Sequence, residues 1–93
     1  MEKTLHLREY HILLDLLREA RVAAGVNQID LADRVGMTQS MVSKCERGER
    51  RLDVIELRRW CGAIDVPFLP LLEEFEMRLV AQPGRRARRN RQT

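Results

Sequence analysis

Apolar residues recur every three or four positions along most of the chain, the period of helices with one buried face, and no stretch alternates as a half-buried strand does. The expected class is therefore all-α. A first helix from about Leu7 to Ala24 carries Tyr10, Leu13, Leu14, Leu17, Ala20 and Ala24 on one face. Leu5, Ile12 and Leu16 lie off that stripe, where they either rest against the last helix or meet a second subunit. Two short helices follow between Gln28 and Glu46. A fourth opens at Asp53, with Glu56 three residues later in a capping-box pattern, and buries Leu57, Trp60, Cys61 and Ile64. Pro67 suits the first turn of a fifth helix, whose stripe is Phe68, Leu71, Leu72, Phe75 and Leu79. In so small a chain, leftover apolar surface on the first and fifth helices is the natural subunit seam. Its candidates are Leu5, Ile12, Leu16, Leu72, Phe75 and Leu79.

The central stretch QIDLADRVGMTQSMVSKCER, residues 28 to 47, is the most specific. Small Ala32 sits where two helices would cross, Gly36 where the chain must turn left-handed, and Leu31, Val35, Met37, Val42 and Cys45 face one another across that turn. Asn27 with Asp30, and Thr38, are start signals for the two helices. An ordinary helical hairpin would share the periodicity. The joint offsets of Ala32, Gly36 and Val42, followed by a polar outer face, point instead to a DNA-binding helix-turn-helix. Such a motif lays its second helix in the major groove with the N-terminal side chains at base edges. Gln39, Ser40, Ser43 and Lys44 are thus the base-reading candidates. Glutamine can pair bidentately with adenine and lysine can donate to guanine, each good contact being worth about 1–3 kcal/mol of discrimination. Gln28 and Thr38 at the helix starts, with Arg50 and Arg51 in the loop after Gly48, are suited to phosphate.

These residues, with Arg18, Arg21, Gly25-Val26-Asn27-Gln28, Glu46-Arg47-Gly48 and the helix from Leu57 to Val66, resemble the Cro/C1-type (Xre) helix-turn-helix repressors over about residues 8 to 76. The resemblance implies a compact five-helix, lambda-repressor-like domain that binds double-stranded DNA as a two-fold homodimer on a palindromic operator, acting as a transcriptional repressor or autoregulator. It puts Gln39 and Ser40 at base-contacting positions, and it matches Arg21 and Glu46 to an ion pair tying the first helix to the end of the recognition helix. Cys61 stands where a small residue such as alanine is common, and Asp65 where glycine often ends the fourth helix. Asp tolerates left-handed backbone better than most residues.

Charge refines this picture. Residues 1–82, the expected domain, carry 12 basic and 14 acidic side chains, whereas residues 83–93 carry five Arg and no acid, giving +3 in total. The tail is expected to be flexible, and DNA attraction must come from local clusters and from it. Cys45 and Cys61 fall at apolar positions and read as buried, reduced thiols of a cytoplasmic protein. His6 and His11 are five apart and no Cys pair has zinc-like spacing, so no metal is expected, and no apolar run could span a bilayer. No nucleophile–base pair or phosphate-binding glycine loop is present, which argues against an enzyme and against any cofactor. The alternative function is a protein-interaction module, such as an antitoxin-like partner whose DNA binding is secondary.

Overall fold

The computed structural model describes residues 2–81, with side chains from Arg8 onward. Among these residues it contains five helices and no strand: α1 (Glu2–Ala23), α2 (Gln28–Val35), α3 (Gln39–Glu46), α4 (Val54–Ala63) and α5 (Phe68–Ala81). The tail at 83–93 and the side chain of Leu5, both given roles above, lie outside the described residues.

Helix α2 packs on α3 and on α4, while α1 packs on α3 and on α5. The core between them is closed by Leu17, Leu31, Val42, Trp60 and Ile64, each under 2% exposed. Burial at this level contributes about 1.5–3 kcal/mol per large aliphatic side chain. Cys45 and Cys61 are buried free thiols, as their apolar positions predict. The indole N–H of Trp60 is buried without an acceptor.

Helix boundaries follow local chemistry. The Asn27 side chain accepts from the Asp30 amide at 2.8 Å and Thr38 Oγ1 from the Met41 amide at 3.0 Å, each satisfying a donor that the helix start leaves free. Gly36 ends α2 at φ +75°, and the Met37 amide then reaches back to the Ala32 carbonyl at 2.9 Å. Asp53 and Glu56 form the full capping box that opens α4. Asp65 takes the left-handed turn at φ 62°.

Three details differ from the sequence expectation. Helix α1 begins at Glu2 rather than near Leu7, because residues 2–6 contain no Gly or Pro to stop it where the apolar stripe runs out. Ala24 falls past its end and is exposed. Pro67 precedes α5 by one residue, and Pro70 instead occupies the first turn, where an amide is dispensable.

Gly48 follows the end of α3 at φ +82°, and a Cβ there would stand 3.0 Å from His11 Cε1 and 3.5 Å from Leu14 Cδ1 of α1. Gly48→Ala should therefore destabilise by roughly 1–2 kcal/mol for the left-handed backbone alone, with the His11 ring displaced in addition. Gly62 lies inside α4, and a Cβ added there would meet nothing within 4 Å, so Gly62→Ala should stabilise by roughly 0.5–1 kcal/mol. Urea unfolding of the two variants checks the pair; shifts of the same sign would contradict the backbone argument.

Candidate nucleic-acid interface

The outer face of α3 is presented by a chain of hydrogen bonds whose direction is set by one carboxylate. Glu46, at the end of α3, is buried, and it accepts from Arg21 Nε at 2.6 Å, from the second Arg21 nitrogen at 3.0 Å and from Gln28 Nε2 at 2.8 Å. Arg21 also donates to the Val26 carbonyl at 2.9 Å, so one guanidinium links α1, the turn before α2 and α3. A carboxylate can only accept, so Gln28 must turn its NH2 toward Glu46 and its oxygen outward. That oxygen accepts from Gln39 Nε2 at 2.8 Å. Gln39 is left with its own carbonyl and one N–H at the exposed start of α3, an adjacent acceptor and donor of the kind that matches adenine.

Of the remaining base-reading candidates, Ser40 and Lys44 are exposed on the same short helix. Ser43 is half-buried, and its hydroxyl accepts from Arg47, which in turn pairs with Glu49 at 2.9 Å. Thr38 uses its hydroxyl as the α3 cap. Gln28 uses its side chain between Glu46 and Gln39, which leaves the unpaired amides at the start of α2 as its means of meeting an anion.

The two loop arginines differ. Arg50 turns inward: it meets Glu56 at 3.0 Å and 3.5 Å and the Cys45 sulfur at 3.7 Å. Hydrogen bonds from Arg50 and then from the Asp53 amide hold the Glu56 carboxyl below the usual carboxylate range. Burial pushes the Cys45 thiol up, with Arg50 opposing it. Arg50 thus has its charge matched by Glu56 within the fold, which sets it apart from Arg51 as a phosphate candidate. Its partner Glu56 lies three residues beyond Asp53, inside a capping pattern that accounts for it without any arginine. Arg51 is exposed, has no carboxylate partner among the described residues, and lies 4.7 Å over the Tyr10 ring.

Arg58 and Arg59 on the exposed face of α4 stand outside the sequence-based set. Arg59 borders a depression of about 240 Å³ beside Gly36, Met37 and Met41. Consecutive arginines after an acidic first turn are the signal that could have marked them.

The seam candidates divide. Leu16 is only 8% exposed, already part of the monomer core, and is not free for a second subunit. The reason is that α1 is covered by α5 as well as α3, so its buried arc is wider than one stripe. Ile12, Leu72, Phe75 and Leu79 are half-buried, while Leu69, Met77 and Val80 on α5, not singled out in the sequence, are exposed. Among the described residues, no helix is long and apolar enough to cross a membrane and no group of side chains could hold a metal.

Comparison with known proteins agrees with this geometry. A family model described as helix-turn-helix matches residues 17–71. The chain is similar to the structure of an XRE-family-like protein from Pseudomonas syringae pv. tomato str. DC3000, with 51% identity, a TM-score of 0.77, and coverage of 83% of this chain and 94% of that one. Two more distant structures share the fold. The wild-type restriction-modification controller protein C.Esp1396I is 20% identical with a TM-score of 0.70, over 76% of this chain and 93% of that one. The clp gene regulator ClgR from C. glutamicum is 24% identical with a TM-score of 0.68, over 76% and 92%. No curated protein matches the sequence.

Proposed function

The chain belongs to the XRE family of Cro/C1-type helix-turn-helix DNA-binding regulators, and from that membership we propose that it is a sequence-specific repressor or autoregulator occupying a palindromic operator as a homodimer. The observation that supports base reading most directly is the Arg21–Glu46–Gln28–Gln39 series, which orients a recognition-helix amide before any DNA is bound. Gln39, Ser40 and Lys44 read base edges, Ser43 adds a weaker contact, and Gln28, Thr38 and Arg51 hold phosphates. A cytoplasmic location and the absence of any enzyme reaction go with this reading. Half-buried Leu72, Phe75 and Leu79 fall on one side of α5, with Ile12 half-buried on α1, and these residues are the candidates for a two-fold seam.

The test is a random-pool binding selection with the purified protein, which tests DNA binding and reports half-site spacing together. Recovery of paired half-sites about one helical turn apart would support an operator-bound dimer; a single half-site would exclude it. Gln39→Ala and Lys44→Ala should then change which bases the selected site tolerates, at about 1–3 kcal/mol per lost contact. Arg51→Ala should weaken all sequences alike. A uniform loss for Gln39→Ala across single-base site variants would remove it from the base-reading set.

A further inference from the structure

We propose that Tyr10, on α1 and some forty residues away in sequence, is the positioning residue of the DNA-contacting loop between α3 and α4, holding Arg51 ready for a phosphate. This rests on the DNA-binding reading above. The first half of the loop is tied to the recognition helix, since the Glu49 and Arg50 amides both reach the Lys44 carbonyl, at 2.9 and 3.3 Å. The second half is tied to α1. The Tyr10 hydroxyl accepts from the Leu52 amide at 2.9 Å and donates to the Arg50 carbonyl at 3.5 Å, so one phenol fixes the main chain on both sides of Arg51. Its ring then carries the Arg51 guanidinium at 4.7 Å from the centroid. Tyr10 itself is 8% exposed and set in the core, so the platform is rigid.

This arrangement separates the two loop arginines by chemistry. Arg50 spends its Nη1 and Nη2 groups on Glu56 and the Cys45 sulfur, so its charge is matched within the fold. A guanidinium stacked on an aromatic face is attracted by the ring but keeps its N–H edge open, and that edge is what pairs with phosphate oxygens. An arginine held in place beforehand also loses less side-chain freedom on docking.

The experiment uses the full chain and two probes, the best duplex from the random-pool selection and a random-sequence duplex of equal length. Arg51→Ala should weaken both and lower the slope of log affinity against log salt by about 0.9, one phosphate's share. Tyr10→Phe keeps the ring and loses the hydroxyl. It should weaken both duplexes by the same factor, about 2- to 10-fold, the equivalent of ordering one long side chain, with base preference unchanged. In the Arg51→Ala background, Tyr10→Phe should cost nothing further, whereas a residue that only stabilised the fold would cost the same factor in both backgrounds. Arg51→Lys, a change at an exposed position whose folding is checked by urea unfolding, should lose affinity because ammonium lacks the planar face; wild-type affinity there would overturn the proposal. Independent losses for Tyr10→Phe and Arg51→Ala, or no loss for Tyr10→Phe, would overturn it while leaving DNA binding intact. Failure of the wild-type chain to bind either duplex would overturn the DNA-binding reading itself and this proposal with it.

Discussion

Glu46→Ala is expected to cost roughly 3–5 kcal/mol of folding stability, the usual penalty for removing one partner of a buried ion pair. The side chains of Arg21 and Glu46 are 11% and 5% exposed, so water cannot replace what is lost. The deletion also strands Gln28 Nε2, which donates to the same carboxylate. Against the roughly 5–15 kcal/mol that holds a typical domain folded, that is a large share. Urea unfolding midpoints measure it. A double-mutant cycle between Arg21 and Glu46 should show strong coupling, and additive losses would mean that the charges act independently. Replacing both by methionine should cost far less than either single deletion, because an apolar pair leaves no buried charge behind. Base preference at the Gln39 position should broaden in Glu46→Gln. Its amide can turn an N–H toward Gln28, so the acceptor that fixes the direction of the Gln28 and Gln39 amides is lost.

Which features could be read in advance depended on the range of the interaction responsible. Caps and turns are local, and Asn27, Thr38, Gly36, the Asp53–Glu56 box and the left-handed Asp65 all follow from one to four neighbouring residues. The apolar periods likewise placed Leu17, Leu31, Val42, Trp60 and Ile64 in the core. What could not be read was competition between distant partners for the same group. Arg50 was legible as a loop cation, but whether its charge faced solvent or Glu56 depended on how the loop folded back onto α4. Leu16 lay off the main stripe of α1, and its burial depended on how other helices, α3 and α5, dock against that helix. Tyr10 read simply as a core aromatic, because a hydroxyl's bonds to main chain forty residues on leave no pattern in sequence.

Deleting residues 84–93 is expected to leave folding intact and to flatten the salt dependence of DNA binding. The motivating observation is electrostatic: residues 1–82 carry 12 basic against 14 acidic side chains, while the final segment adds five Arg and no acid. Within the described part of the body, several of those basic groups are matched at short range, Arg21 by Glu46, Arg50 by Glu56 and Arg78 by Glu19 and Glu74. Long-range attraction to a polyanion must therefore come largely from the terminal arginines. If all five neutralise phosphates, the slope of log affinity against log salt should change by roughly 4 to 5 on deletion. Between 50 and 200 mM salt the intact chain would then lose about 10² to 10³ times more affinity than the truncated one. Specificity should move little, since phosphate contacts add affinity to every sequence alike while Gln39 and Lys44 stay in place. Titrations of the selected and random duplexes at several salt concentrations measure both quantities. An unchanged slope would assign the tail to solvent or to another protein, and a reduced ratio between the two duplexes would mean that the arginines read sequence themselves.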